Sequence, residues 1–133
     1  MKPVGTKFEF AEQRNEDLIS TYRRKLSECE VIRLPKVLRE AVQSPSKRFW
    51  VSEERAIIVV MQMMAGKNLD RMQPMRKAMY EEIYRRTMKV KMMNPEMTIT
   101  DIVSRVIEQP APCFYLTPGS AKVIIHNAMK KRK

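Results

Sequence analysis

Residues 37–64, VLREAVQSPSKRFWVSEERAIIVVMQMM, meet residues 102–129, IVSRVIEQPAPCFYLTPGSAKVIIHNAM, without a gap when slid forward by 65 positions. Pro45 meets Pro110, Phe49 meets Phe114, Ala56 meets Ala121 and Met64 meets Met129. Those identities alone say little. The conservative matches say more. Val37/Ile102, Leu38/Val103, Val42/Ile107, Trp50/Tyr115, Val51/Leu116, Ser52/Thr117, Ile58/Val123, Val59/Ile124 and Val60/Ile125 pair apolar with apolar and cap with cap. The offset continues upstream through Leu34/Ile99 and Ile32/Met97. A fixed period of this kind reads as a tandem duplication. The alternative is two convergent helix–loop–helix segments.

Each copy reads as three helices. Over about 11–29, Leu18, Tyr22 and Leu26 stand four apart on one helical face. Over about 34–43, Leu34, Val37, Leu38, Ala41 and Val42 form an amphipathic stripe. Pro45 disfavours helical geometry at Ser44 and ends that helix. An extended stretch follows from Lys47 to Val51. Ser52 is placed as an N-cap, with Glu53 and Glu54 suiting the positive helix end, and Gly66 as the stop. The second copy repeats the order. Pro74 opens a helix over about 74–93, which Asn94-Pro95 stops. Thr98 or Thr100 caps a helix ending near Gln109, and Pro110 and Pro112 break the chain. Thr117-Pro118 is an N-cap/N1 pair, because proline at the first helical position loses no intrahelical bond. The first helices of the two copies align in either of two registers, Leu18 against Ile83 or Leu18 against Tyr84. The expected fold is all-α, a tandem duplication of a three-helix, helix-turn-helix-like unit, about six helices in one compact domain. An N-terminal arm over 1–10 precedes a first unit over 11–66 and a second over 67–133.

Composition narrows the function. The chain has 133 residues, 26 Lys+Arg against 15 Asp+Glu and a net charge of +11. No run of about 18 uncharged apolar residues offers a membrane span, and the charged N-terminus lacks a signal core. His126 is the single histidine, and three glycines are too few for phosphate-cradling loops. No nucleophile elbow, zinc-binding helix or Cys/His spacing is present, so neither an enzyme nor a metal or cofactor site is expected. Cys29 and Cys113 are expected as free thiols in a reducing cytoplasm. Ten of the twelve methionines fall between Met61 and Met97 and read as core fillers, or as an adaptable binding surface.

A module of three helices presents its third helix to the major groove of DNA. In the last helix Ala121, Ile124, Ile125 and Ala128 form a buried side, while Lys122, His126, Lys130 and Lys133 follow on another. Asn127, Lys131 and Arg132 extend that basic face, and an asparagine can pair with adenine. Arg85, Arg86 and Lys89 on the fourth helix are expected to add phosphate contacts. Residues 1–65 hold 12 basic and 9 acidic residues, net +3; residues 66–133 hold 14 and 6, net +8. The bland reading is a solubilising tail and a helix C-terminus matched to the macrodipole. The link between second and third helices is longer than the roughly 3–4-residue turn of the usual motif. The helix bearing Ile57, Ile58, Val59, Val60, Met61, Met63 and Met64 is apolar nearly all round, and is expected to be buried as a strut or to serve self-association. Phe49-Trp50 and Phe114-Tyr115 read as packing anchors at helix mouths, with base stacking as the alternative.

The segments RFWVSEERA (48–56) and FYLTPGSAKVII (114–125) resemble those of short, functionally unassigned proteins of bacterial phages and mobile elements, over most of residues 14–130. The resemblance implies a cytoplasmic nucleic-acid or phage-process role and no particular activity. Together these readings point to a small nucleic-acid-binding protein, duplex DNA favoured over RNA, with a regulatory or accessory role. The competing reading is an assembly module, a homodimer or a binder of an acidic protein, docking through methionine-rich helices.

Overall fold

A computed structural model describes residues 7–131, with side chains over 10–130. Six helices lie among the described residues: α1 (Lys7–Ser27), α2 (Leu34–Gln43), α3 (Glu53–Met64), α4 (Pro74–Met93), α5 (Ile99–Val106) and α6 (Pro118–Lys131). The protein is all-α. No strand accompanies the helices among the described residues; one isolated antiparallel bridge joins Ser46 and Ala111. Of the expected N-terminal arm, residues 1–6 lie outside the described residues, and 7–10 belong to α1.

Local chemistry sets the helix ends. The Ser52 side chain accepts from the Arg55 N–H at 3.2 Å and caps α3. Thr98, not Thr100, caps α5, accepting from the Asp101 N–H at 3.2 Å. Thr117 accepts from the Ser120 N–H at 3.1 Å at the mouth of α6. Gln73 caps α4 through its side-chain oxygen, 2.8 Å from the Arg76 nitrogen. At the end of α3, Gly66 takes φ of +93°, and the N–H groups of Lys67 and Gly66 donate to the carbonyls of Gln62 and Met63. That paired arrangement satisfies orphan carbonyls and needs a residue free to adopt the left-handed region.

The helices form two compact units, but these are not the two sequence halves. Unit 1 comprises residues 1–46 and 111–133; unit 2 comprises 47–110. In unit 1, α6 packs on α1 and α2; in unit 2, α3 packs on α4 and α5. The expected units over 11–66 and 67–133 therefore give way to units that have exchanged their third helices. The cause lies in the links. Ser44 is extended, at φ −76° and ψ 152°, as a residue before proline must be. Past Pro45 the chain pairs Ser46 with Ala111, bends at Lys47, Arg48 and Val51, and delivers α3 to α4 and α5. This accounts for links longer than a helix-turn-helix turn.

In unit 1, Ser46 and Ala111 exchange both backbone bonds at 3.1 Å, and the Phe114 N–H donates to the Val42 carbonyl at 3.0 Å. In unit 2 the Phe49 N–H donates to the Ile107 carbonyl at 3.0 Å. Ser46 and Ala111 stand 65 residues apart, and the same offset carries the Phe49–Ile107 bond onto Phe114–Val42, since 49 corresponds to 114 and 107 to 42. The helix starts of α2 and α5, and of α3 and α6, keep the same spacing. So do buried residues, among them Leu18/Ile83, Val37/Ile102, Leu38/Val103, Val42/Ile107, Phe49/Phe114, Ala56/Ala121 and Val60/Ile125.

The core is built from Val, Ile, Leu, Phe and Tyr. Methionine does not fill it as expected. Met79 is the one buried methionine among the described residues, while Met61, Met64, Met92 and Met93 are exposed. Nor is α3 buried all round. Ala56, Val59 and Val60 face its neighbours, whereas Ile58 and Met61 are 41% and 52% exposed. A helix packed on two others has one side to bury, whatever its composition.

Candidate nucleic-acid interface

Helix α6 is positioned in unit 1 by Ala121 and Ile125, both buried, with Ile124 and Ala128 half-buried beside them. Helical spacing then puts Lys122, Val123, His126, Asn127 and Lys130 on the opposite side, and all five are exposed. No acidic residue occurs anywhere in α6. None of the four polar members takes part in a salt bridge among the described residues. Lys131 ends the helix but its side chain lies outside the described residues, as does all of Arg132. Entry to α6 is steered by Tyr115, whose φ of 55° lies in the left-handed region, a strained setting for a side chain of this size.

The fourth-helix residues belong to the other unit. Arg85, Arg86 and Lys89 belong to unit 2, while α6 belongs to unit 1. Arg85 and Arg86 are also engaged. Arg85 forks onto both carboxylate oxygens of Glu82 at 3.0 and 2.7 Å, and Arg86 Nε donates to the same carboxylate at 2.7 Å. These hydrogen bonds, Arg85 foremost, hold the Glu82 carboxyl below the usual carboxylate range against the opposing effect of burial. Arg86 further donates to the Pro110 carbonyl at 3.1 Å and to Gln109 Oε1 at 3.3 Å, and lies 5.0 Å over the Phe49 ring. It clamps the α5 exit to an aromatic anchor of its own unit. Lys89 is exposed and takes part in no salt bridge among the described residues.

The aromatic pairs split by position. Phe49 and Phe114 are buried anchors at 1% and 4% exposure. Trp50 and Tyr115 are half-buried, and Arg48 lies 5.6 Å over the Trp50 ring. Burial draws the Arg48 guanidinium below its usual pKa, with Glu108 acting in the opposite sense. Both cysteines are free thiols, and burial pushes that of Cys113 up. Among the described residues, no group of three His, Cys, Asp or Glu is placed to hold a metal ion. Nor is any described helix long and apolar enough to cross a membrane.

The exchange changes which cations accompany α6. By unit rather than by half, unit 1 carries 14 basic and 7 acidic residues, net +7, and unit 2 carries 12 and 8, net +4. Exposed cations sharing a unit with α6 are Arg23 and Arg24 on α1, Arg33 at the mouth of α2, and Lys36 and Arg39 on α2. Sequence reasoning passed over them because it assigned α6 to the second half. The signal in the sequence was the length of the proline-bearing links, greater than the turn of a compact three-helix unit.

Position for position, α3 presents a different face. Where α6 has Lys122, His126 and Lys130, the 65-residue offset gives Ile57 and Met61 on α3 and Ala65 at its C-cap. The two third helices share a place in their units and differ in solvent chemistry. Compared with protein-family models, with curated proteins and with solved structures, the chain matches none.

Proposed function

We propose that the protein binds nucleic acid, duplex DNA in preference to RNA, through the solvent face of α6. The observation that carries this reading is an exposed helix face holding Lys122, His126, Asn127 and Lys130, with no acidic residue on the helix and no salt bridge to Lys122 or Lys130 among the described residues. Such a face offers long donors to phosphate oxygens, and Asn127 offers a bidentate donor–acceptor pair to adenine. Phosphate contacts release counterions, so affinity falls with salt in proportion to their number. Helix α6 packs on both α1 and α2, as the third helix of a three-helix module packs on the first two, although it arrives from the far half of the chain. The matched hydrogen bonds and buried residues at an offset of 65 support duplication of one trihelical element, after which α6 took the cationic role. The likeness of residues 48–56 and 114–125 to phage and mobile-element proteins fits an accessory or regulatory protein acting by binding, in the cytoplasm.

The test is fluorescence anisotropy with labelled duplex DNA, single-stranded DNA and RNA over a salt series. Wild type is compared with Lys122→Ala/Lys130→Ala and with Lys89→Ala. Each lost phosphate contact lowers the slope of log affinity against log salt by about 0.9, so the double variant is expected to flatten it by about 2. Lys89→Ala is expected to leave it unchanged. A double variant with the wild-type slope contradicts the assignment to α6.

A further inference from the structure

The apolar face of α3 is the counterpart of the cationic face of α6, and it is solvated. On α3, Glu54, Ile58, Met61 and Ala65 follow one another along the side opposite the buried Ala56, Val59 and Val60. Ile58, Met61 and the flanking Met64 are 41%, 52% and 44% exposed. Large apolar side chains adjoining on one helix face form a patch that is unfavourable to leave in water, and such patches mark interfaces. A shallow hollow lies at the N-terminal end of this face, lined by Glu53, Glu54, Ile57 and Ile58.

We infer that this face pairs with the same face of a second copy of the chain, antiparallel, about a two-fold axis passing at Met61. The spacing is self-complementary. Antiparallel pairing about Met61 sets Ile58 against the other copy's residue 64 and Met61 against its own equivalent. Charge selects the direction. The first turn carries Glu53 and Glu54, with Arg55 beside them hydrogen-bonded to Tyr80 of its own unit, and Lys67 sits just past the last turn; Glu53, Glu54 and Lys67 are exposed, and none of the three is in a salt bridge among the described residues. Antiparallel copies bring each glutamate end beside a lysine end, whereas parallel copies oppose glutamate to glutamate. The hollow beside Ile57 and Ile58 then receives the thioether at position 64 of the other copy, an unbranched side chain suited to an irregular recess. An isologous contact of this kind closes on itself as a dimer. A pair of helix faces this short buries less than the roughly 1,000 Å² expected of a stable specific interface, so the dimer is weak and depends on concentration. The same pairing of α6 is opposed by its Lys122, His126 and Lys130.

The inference is independent of the nucleic-acid reading and is tested without nucleic acid. Sedimentation equilibrium of the full chain is run from low micromolar to near-millimolar concentration, with circular dichroism confirming that each variant keeps its helicity. Wild type is expected to move from monomer to dimer across that range. Met61→Lys, which sets two cations on the axis, is expected to raise the dimer dissociation constant about tenfold or more. Glu54→Lys and Lys67→Glu are each expected to weaken the dimer several-fold, and the double charge reversal to restore it. A chain that stays monomeric, or a dimer indifferent to Met61→Lys, overturns the proposal. A charge reversal that fails to restore pairing overturns the antiparallel arrangement.

Discussion

Thr87 lies on α4 at 0% exposure, and its hydroxyl has no hydrogen-bond partner among the described residues. A buried hydroxyl without a partner costs the water it gave up and regains nothing. Valine has nearly the same shape without that debt. Thr87→Val is therefore expected to leave stability unchanged or raise it by up to about 1 kcal/mol in urea unfolding. A loss of stability would mean that the hydroxyl has a partner. Glu82 makes the opposite case, with two guanidinium groups converging on it. Its folded pKa is depressed, so its contribution is present above the ordinary carboxylate pKa and fades as pH falls through the lower, folded value. The side chain is one-fifth exposed, and solvent screening keeps the contribution at about 1 kcal/mol or less. Glu82→Gln is expected to cost that amount near neutrality and to flatten the acid limb of a stability-against-pH curve; an unaltered limb would contradict the pairing.

The helices were legible wherever a local rule was sufficient. Ser52, Thr117 and Gly66 announce helix ends through their own chemistry, and five of the six helices lie where cap and breaker residues put them. Gln73 escaped notice because glutamine is an uncommon cap, recognisable here by the bond it makes. Composition misled at α3. Seven Ile, Val and Met side chains suggested burial on every side, but the helix has two packing partners and buries one side. What decides exposure is how many neighbours a helix acquires, and no local window of sequence carries that. Methionine misled for the same reason, since of its ten copies between Met61 and Met97 five are half-buried, four are exposed and one fills the core. On α6 the periodic pattern sorted buried from exposed positions correctly, because an amphipathic helix with one wet side declares both. For Arg85 and Arg86, expected to contact phosphate, the sequence already held a partner: Glu82, three and four residues before them, is their i, i+3 and i, i+4 neighbour.

Across the whole chain, the exchange of third helices makes a statement about autonomy. Unit 2 is one continuous segment, 47–110, whereas unit 1 is assembled from two segments that flank it. The segment 47–110 contains α3, α4 and α5 and the contacts among them. Expressed alone, it is expected to be helical and to melt cooperatively, though only marginally stable at this size. A non-cooperative melt of that fragment would contradict the exchanged packing. The same exchange removes α6 from the neighbourhood that its position in the sequence suggests and gives it to α1 and α2, with its cations facing solvent. Amide chemical shifts of the full chain, followed by NMR as duplex DNA is added, test that consequence. The account predicts that the largest changes fall on Lys122, Val123, His126, Asn127 and Lys130, with α3 and α4 left in place. Changes centred on α3 or on Arg85 and Arg86, or none at low salt, would contradict it.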